Sequence, residues 1–558
     1  MKTAFTIKQR SKQWSSLKSC QVDLLVIGGG ITGAGIALDA QTRGINTILI
    51  EMQDFAAGTS SRSTKLVHGG LRYLKQLEFS MVAEVGKERA IVYENGPHVT
   101  QPEWMLLPII EGGTYGKWAS SFGIRLYDYL AGVKKSERRQ MLNREQTLEK
   151  EPLLRKKGLK GSGYYVEYRT DDARLTIEIL KRAVEKGVQA FNYTKAEEFI
   201  YSQGKLVGVQ VKDCLSGESF PVYAKKVVNA TGPWVDLLRE KDGSKKGKYL
   251  HWTKGVHIVV DQHRFSLRQS IYFDTSDGRM VFAIPREGKT YIGTTDTDYY
   301  EDLEHPRVTE QDRNYLLQAV NDMFPSIKLT SEDVESSWAG IRPLIHEEGK
   351  SPSEISRKDE IFYSKSGLIT IAGGKLTGYR KMAEKVTDLV VKELSREEQR
   401  TFKPIQTASI PISGGDVGGS KQFPRFVAQK IAEGVVLGLK QENVRKLVHR
   451  YGTNVDDVFE IIRTGRTEAE TYQLSLEIYG ALLYGLQHEM VATPADFFIR
   501  RTGAIYFEID KVKKWQIPVI QLMKDYFEWD ESRTDAYTRD LEKQIIFATK
   551  VVSSDEKL

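Results

Sequence analysis

The chain has 558 residues, the length of about three to four average domains, and its net charge of +7 is modest for that size. Hydrophobic residues make up 40% of the sequence, which is typical of a globular protein and excludes a disordered or low-complexity one. No stretch approaches the roughly 18 uncharged apolar residues that a membrane-spanning helix needs. The only cysteines are Cys20 and Cys214, so neither a disulfide scaffold nor a thiolate metal site is expected.

The polar, basic residues 1–21 lack the apolar centre of a secretory signal, so a cytoplasmic protein is expected. A strand–turn–helix–strand unit follows, and it fits within about thirty residues, as a βαβ unit requires. Its predicted parts are a strand at 22–27, a glycine-rich turn at 28–35, a helix at 36–43 closed by Gly44, and a strand at 46–50.

The glycine turn has the spacing Gly28-x-Gly30-x-x-Gly33, and the second strand of the unit ends at Glu51. Such glycines let a pyrophosphate approach the backbone, and the following helix N-terminus offers N–H groups to the anion. The acid lies near the spacing from which a carboxylate accepts hydrogen bonds from a ribose hydroxyl. The unit therefore predicts dinucleotide binding. Because no second unit of this kind occurs, one permanently held FAD is favoured over NAD.

The loop 58–73 concentrates hydroxyls, basic residues, a histidine and a glycine pair directly after this unit. Loops of this composition often carry sites, and this one could bind a small anionic substrate. The alternative is an ordinary polar connection with a helix-capping hydroxyl.

The rest of the chain predicts a second sheet and a helical tail. The segments 280–284 and 290–294 are joined by a turn-rich stretch, which indicates an antiparallel hairpin. The predicted strands are 225–230, 256–260, 280–284, 290–294 and 368–372, and the predicted helices are 79–95, 381–394, 425–439, 455–464, 469–480 and 526–551.

This order predicts a mixed α/β and α+β fold with three domains, the first of them discontinuous. We expect a Rossmann-like FAD-binding domain, a substrate domain built on an antiparallel sheet, and a helical C-terminal domain. Their predicted segments are 20–95, 160–235 and 335–400 for the FAD domain, 96–159 and 236–334 for the substrate domain, and 401–558 for the helical domain.

A basic stretch at 134–160 holds ten basic and four acidic residues. Its interleaved residues are leucines and a methionine rather than aromatics that stack on bases, so an anionic membrane surface is a better candidate partner than nucleic acid. A solvated helical face is an equal alternative. The segment 511–529 is also amphipathic, and such a face is more often core.

Several motifs, taken jointly, resemble those of the FAD-dependent glycerol-3-phosphate dehydrogenases. The resemblance spans residues 23–385 and extends into the helical tail. The motifs are Gly28–Gly35, Ser60–Tyr73, Lys254-Gly-Val-His257, Gly293-Thr-Thr-Asp296, Gly340-Ile-Arg-Pro-Leu344, Gly373-Gly-Lys-Leu-Thr-Gly-Tyr-Arg380, His488-Glu-Met490 and Phe498-Ile-Arg-Arg-Thr502.

The resemblance implies a fold like that of D-amino-acid oxidase and oxidation of sn-glycerol 3-phosphate to dihydroxyacetone phosphate. It also implies that electrons pass from the flavin to membrane quinone. With the basic surface, this predicts a protein attached peripherally to the inner face of the cell membrane. Nucleic acid is not an expected partner, and a homodimer is one assembly that the sequence leaves open.

The resemblance also implies roles for individual residues. Positions that match the family's substrate pocket are Arg72, Tyr73, His257, Arg342, Arg357 and Lys375. Positions expected at the cofactor are Gly28, Gly30, Thr32, Gly33, Glu51, Ser60, Ser61, Lys65, Gly232, Gly373, Gly374, Leu376 and Thr377, and His68 matches a stretch near the flavin.

Oxidation of a secondary alcohol needs a base for the hydroxyl proton and a cation near the developing alkoxide. His257 is the candidate base, His68 is its rival, and a structural histidine is the alternative. Arg342 and Arg357 are the candidate phosphate clamps, since guanidinium groups bind phosphate bidentately. Two other functions stay open at this point, namely an oxidase that uses oxygen and a dinucleotide-binding module without turnover.

Overall fold

The structure is a computed structural model that describes residues 5–17, 20–67, 79–113, 139–348 and 358–553. The predicted site residues His68, Arg72, Tyr73 and Arg357 lie outside these ranges. The strands are β1 (Gln21–Ile27), β2 (Thr47–Ile50), β3 (Leu66–Val67), β4 (Thr100–Ile110), β5 (Gln140–Leu142), β6 (Leu159–Thr170), β7 (Gln189–Phe191), β8 (Thr194–Ser202), β9 (Lys205–Asp213), β10 (Ser219–Asn229), β11 (Lys248–Asp261), β12 (Ser270–Asp274), β13 (Met280–Arg286), β14 (Lys289–Gly293), β15 (Thr297–Asp298), β16 (Val334–Glu347), β17 (Glu360–Tyr363) and β18 (Leu368–Ala372).

Helices cover the first sheet and build the C-terminal part of the chain. They are α1 (Arg10–Leu17), α2 (Ile31–Arg43), α3 (Phe79–Asn95), α4 (Arg144–Lys150), α5 (Asp172–Glu185), α6 (Val235–Lys241), α7 (Glu310–Met323), α8 (Tyr379–Glu398), α9 (Phe423–Val436), α10 (Gln441–Tyr451), α11 (Val455–Thr464), α12 (Arg466–Thr471), α13 (Leu476–His488), α14 (Pro494–Asp496), α15 (Ala504–Phe507), α16 (Ile509–Phe527) and α17 (Glu531–Thr549). A π-helical turn occupies Phe497–Arg501.

The first sheet is the predicted nucleotide sheet. Its strand order is β17-β18-β10-β1-β2-β7, and the five strands from β18 to β7 are parallel. The β8–β9 hairpin joins it through an antiparallel contact of β9 with β10. Alternate residues of β1 and β2 point to two buried layers, one under α2, α5 and α8 and the other under Trp14 and Phe220. Both faces are covered, as expected of a parallel sheet.

The second sheet has ten strands in the order β15-β11-β14-β13-β12-β4-β6-β3, with β16 on β11 and β5 on β6. It is antiparallel except for the β12–β4 pair. The predicted hairpin is confirmed, since β13 and β14 pair up to Arg286 and Lys289. The connecting residues Glu287 and Gly288 both have positive φ, the conformation that a two-residue hairpin turn needs.

Three strands inside the predicted FAD segments belong to the second sheet, namely the short β3, which pairs with β6, and the longer β6 and β16. β6 pairs with β4 along nearly its whole length, and β16 pairs with β11 over thirteen positions. Both β6 and β16 are long, and each pairs with an antiparallel strand of the second sheet, not with a strand of the nucleotide sheet. The predicted starts at 160 and 335 therefore include substrate-sheet strands, while the domain boundaries as a whole stay a prediction.

The helical tail differs from the predicted helices most clearly at two places, and α9 also ends at Val436 rather than at 439. The predicted helix 469–480 is two helices, α12 and α13, separated by Gln473, which has a left-handed backbone. The predicted helix 526–551 begins late, because α16 ends at a left-handed Glu528 and Asp530 caps α17 by accepting the Arg533 N–H at 2.7 Å. None of the helices in the described ranges has both the length and the apolar composition that a bilayer span requires.

Candidate active site

The glycine turn between β1 and α2 is packed so tightly that a side chain at Gly28 or Gly33 would clash with the backbone. Gly28 has a φ of +117°, and a Cβ there would lie 2.4 Å from the Ala230 carbonyl oxygen. A Cβ on Gly33 would lie 1.9 Å from the Gly28 carbonyl oxygen. Ser60 fixes the helix end by accepting the Ile31 N–H at 2.9 Å. The turn therefore leaves bare backbone at a helix N-terminus, a site that favours a phosphate group.

Glu51 lies directly after β2 and faces this turn. Its carboxylate accepts the Gly29 N–H at 2.7 Å and the Gln53 N–H at 2.9 Å. Burial raises the pKa of the Glu51 carboxyl, and these two N–H groups oppose the rise. The acid thus fastens the glycine turn to the end of β2 and still lines the adjoining cavity.

A second glycine pair follows β18, across the cavity from the first turn. Gly373 and Gly374 have φ values of +74° and +80°, so both adopt a backbone that favours glycine. A Cβ on Gly373 would lie 2.4 Å from the Lys358 carbonyl oxygen. The short 3₁₀ turn Leu376–Gly378 then leads into α8. Backbone from two parallel strands thus meets at the same edge of the sheet, where ligands of such folds bind.

One cavity of about 690 Å³ joins these features to the second sheet. This volume lies in the range of sites for small molecules and cofactors. The predicted residues that line it are Gly28, Gly30, Thr32, Glu51, Ser60, Gly232, His257, Arg342, Gly373, Gly374, Lys375, Leu376 and Thr377.

His257 lies on β11 at the substrate-sheet end of the cavity. Its ring stacks on Trp338, with 4.7 Å between ring centroids, and its Nε2 lies 3.0 Å from the Thr64 hydroxyl. Burial, with the positive charges of Arg342 and Lys65, holds the pKa of His257 well below its usual range. The imidazole is therefore neutral near pH 7, the form that can accept a proton.

Arg342 lies on β16, beside His257 in the same cavity. Its Nη1 donates to the Thr295 carbonyl and to Asp296 Oδ1, both at 3.0 Å, and its Nη2 donates to the Thr294 hydroxyl at 2.8 Å. A Cβ on Gly255 would lie 2.4 Å from this guanidinium. A fixed, partly exposed positive charge results, suited to an anionic ligand or a developing alkoxide.

Three predicted cofactor residues do not line the cavity. Gly33 is buried in the first turn of α2, and Ser61 is also buried. The Lys65 ammonium is used internally, since it donates to Asp172 at 2.6 Å and to the Ser61 carbonyl at 3.0 Å. The expected role of Lys65 near the cofactor stays a prediction, and in this structure the buried Asp172 carboxylate is the partner of its ammonium.

Sequence reasoning missed several residues that line the cavity or lie against His257. Thr64 and Arg62 belong to the loop 58–73 but were not singled out, and Asp296 and Trp338 were not given roles. Gly293 is the clearest omission, because a Cβ there would lie 2.1 Å from the His257 ring. The glycine in the Gly293-Thr-Thr-Asp296 motif was the available signal, and its partner could be known only from strand pairing.

Comparison with known proteins places the chain in a family. A family model described as FAD dependent oxidoreductase matches residues 23–414, and a model described as the C-terminal domain of alpha-glycerophosphate oxidase matches residues 405–534. The aerobic glycerol-3-phosphate dehydrogenase of Bacillus subtilis (strain 168) is 60% identical over 543 residues, 97% of this chain and 98% of that protein. The chain belongs to this family of FAD-dependent dehydrogenases.

Two further similarities agree with that assignment. The aerobic glycerol-3-phosphate dehydrogenase of Staphylococcus aureus (strain USA300) is 58% identical over 532 residues, 95% of each chain. The crystal structure of the glycerol-3-phosphate dehydrogenase from Bacillus halodurans, solved in complex with FAD, superposes with a TM-score of 0.86. That enzyme is 54% identical, and the match covers 99% of this chain and 100% of the other. The family confirms the predicted fold class, with its FAD-binding and helical C-terminal domains.

Proposed function

We propose that this chain binds FAD and oxidises sn-glycerol 3-phosphate to dihydroxyacetone phosphate. The observation that carries the proposal is one continuous cavity that joins a dinucleotide turn to a neutral histidine and an arginine. The relatives named above, which are similar over nearly the whole chain, are glycerol-3-phosphate dehydrogenases.

The residues of the cavity fit FAD. The Gly28–Gly33 turn would take the pyrophosphate and Glu51 the adenosine ribose, because the turn has room only for backbone and the acid ends the second strand. Backbone at Gly373 and Gly374 would lie along the flavin end. When bound, FAD supplies the acceptor for the hydride that leaves the alcohol carbon.

The protein's own part of the reaction is proton removal and charge stabilisation. Neutral His257 accepts the hydroxyl proton, and the Thr64 hydroxyl and the Trp338 face fix the orientation of its ring. Arg342 places positive charge beside the oxygen or the phosphate of the substrate, and Lys375 lines the same cavity. His68, Arg72, Tyr73 and Arg357 remain predicted members of this site.

Anaerobic flavin reduction tests the proposal. The purified yellow protein should bleach with sn-glycerol 3-phosphate and not with glycerol, because the cationic groups select for phosphate. His257→Asn should slow bleaching by about 10²–10⁴-fold, the usual contribution of a general base. His263→Asn is the matched control, because His263 is 94% exposed on the next turn of the chain and should bleach at the wild-type rate. Bleaching by D-amino acids or sarcosine instead would overturn the substrate assignment.

We further propose that membrane quinone accepts the electrons and that the protein attaches to the inner face of the membrane through the basic surface at 134–160. In its described part, this surface exposes Arg144, Lys150, Lys156, Lys157 and Lys160. The stretch is not one helix, and Leu142 and Leu154 are buried in the substrate-domain core. The attachment is therefore electrostatic rather than by inserted leucines.

Flotation with anionic vesicles tests this attachment. Changing Lys150, Lys156 and Lys157 to Gln should release the protein from the vesicles. The equally exposed Lys511, Lys513 and Lys514, changed to Gln, provide a charge-matched control that should still float. Equal flotation of both variants would contradict the proposal. Faster peroxide formation than reduction of a soluble quinone analogue would favour the oxidase alternative.

A further inference from the structure

A buried group of charged side chains joins the nucleotide sheet to the helical domain, outside the site described above. It contains four acids and four bases, so its charges cancel. Each of these side chains is at most 9% exposed. We call this group the interdomain charge cluster, and its members are Asp54, Glu178, Glu489, Asp496, Arg174, Lys181, Arg500 and Arg501.

Asp54 is the member that comes from the nucleotide unit. Arg501 donates to both of its carboxylate oxygens, at 2.7 and 2.9 Å, and Arg500 donates to one of them. Burial alone would raise the pKa of Asp54, but the two arginines outweigh it and hold the pKa at about 2. Both arginines end the π-helical turn Phe497–Arg501 of the helical domain. The contact is therefore a fully ionised, bidentate link between two domains.

The loop that carries Asp54 also holds the dinucleotide turn. Glu51 accepts the Gly29 N–H at 2.7 Å through its side chain, and the Ala56 N–H donates to the Gly29 carbonyl at 3.0 Å. The same loop is hydrogen-bonded to residues 191–194, through Tyr193 N–H to the Gln53 carbonyl and Thr194 N–H to the Glu51 carbonyl, both at 2.7 Å. Residues 51–57 thus hold the glycine turn through hydrogen bonds to both the N–H and the carbonyl of Gly29, and Asp54 lies at the centre of this loop.

The helical domain itself stays outside the cavity. Among the described residues, the cavity lining ends at Met382, before that domain begins. The hydrogen-bonded route from Arg500 and Arg501 to the cavity runs through Asp54 and the loop, because both arginines donate to the Asp54 carboxylate.

We propose that Arg501 and Arg500 are positioning residues for the nucleotide. Through Asp54 they hold the loop 51–57 in the conformation in which Glu51 and the Gly29 backbone fit the cofactor. The inference rests on the proposed function in one respect, namely that the nucleotide is FAD. Because coupling between sites is reciprocal, FAD binding in turn stabilises the contact of the π-helical turn with Asp54.

A purely structural cluster gives a different result from a positioning one. If the eight charges only hold the domains together, any neutral pair removed from the cluster lowers stability and leaves FAD affinity unchanged. If Arg501 positions the loop, FAD affinity responds to the Asp54 end of the cluster and not to the far end. The two readouts separate the two roles.

Hydrogen exchange on the full-length wild-type chain, with and without FAD, is the first test. We expect backbone amides of residues 489–502 to exchange at least about 5-fold more slowly when FAD is bound, although none of these residues lines the cavity. Amides of α11, in the same domain but away from Asp54, should not change. Equal exchange at 489–502 in both forms would overturn the inference.

Two charge-neutral double variants form the second test. Asp54→Asn with Arg501→Gln removes the link to the loop, and Glu178→Gln with Lys181→Gln removes a buried pair, 3.0 Å apart, from the far end of the cluster. Both should lower the melting temperature. Only the first should weaken FAD binding, measured by quenching of flavin fluorescence, by about 10-fold or more. Equal FAD affinity of the two variants would overturn the inference, and if the first variant does not fold, the exchange result decides.

These tests also distinguish failure of this inference from failure of the proposed function. If wild-type apoprotein does not quench flavin fluorescence, FAD is not the ligand and both proposals fall. If it binds FAD while exchange at 489–502 is unchanged, only the positioning role falls.

Discussion

At the scale of single residues, two glycines on neighbouring strands make room for the two side chains that carry the proposed chemistry. Gly293 lies opposite His257 on paired strands, and Gly255 lies beside Arg342. We predict that Gly293→Ala displaces the His257 ring without removing it, since the new Cβ would lie 2.1 Å from the ring. A misplacement of about 1 Å can cost roughly 10²-fold in rate, so flavin reduction should slow by about that factor.

Gly378→Ala is the matched control for this substitution. Gly378 is close to the cavity without lining it, and a Cβ there would meet nothing within 4 Å. Both variants should retain FAD, which is measured by absorbance of the purified protein. A Gly293→Ala enzyme that reduces its flavin at the wild-type rate would show that the position of His257 does not limit the reaction.

Whether the sequence reveals a site residue depends on how far from its partners it lies along the chain. The glycine turn and Glu51 could be predicted because their roles follow from short spacings within one βαβ unit. Thr64 could not be predicted as the partner of His257, because 193 residues separate them. The ion pair of Lys65 with Asp172 could not be predicted for the same reason, since 107 residues separate the two in the sequence.

At the scale of elements, hydrophobic patterns located most strands and helices, while local backbone exceptions decided where they end. The predicted helix 79–95 is confirmed, and 455–464 also matches α11. The prediction of one helix over 469–480 was wrong, because Gln473 interrupts it with a left-handed backbone. Glutamine rarely adopts this backbone, so nothing in the sequence signals the break. The apolar face of the segment 511–529 packs mostly into the core, as its alternative interpretation held, although Ile517 is 74% exposed.

At the scale of the whole molecule, the pairing of strands from distant segments could not be predicted from the sequence. β16 pairs with β11 and so belongs to the substrate sheet, although β18, which follows it at 368–372, returns to the nucleotide sheet. A strand pattern indicates burial and period but not which partner is chosen. The motifs were enough to predict the order of the domains. That β16 belongs to the substrate sheet, while β18 returns to the nucleotide sheet, could be known only from the structure.

The buried His98 and His257 and the partly buried His449, which lies next to His98, make the stability of the protein depend on pH. Burial lowers the pKa of His98 and of His257 well below the usual range, and it lowers that of His449 to about 4. In the unfolded chain these side chains take up protons as pH falls below about 6.5, whereas in the folded protein they stay neutral. The unfolded state then binds more protons, so the free energy of unfolding decreases as pH falls below 6.5.

His449→Gln isolates one of these contributions. His449 Nδ1 lies 2.6 Å from the Gln101 side chain, so a glutamine keeps a neutral polar partner at this contact between α10 and β4. Between pH 7.5 and pH 5.5 the wild type should lose about 1.4 kcal/mol more stability than the variant, because a histidine held neutral costs that much at one pH unit below its unfolded pKa. Urea unfolding of the holoenzyme, followed by helical circular dichroism, measures the difference. From pH 7.5 to 8.5 both proteins should change in parallel, and parallel behaviour down to pH 5.5 would show that His449 is protonated in the folded protein.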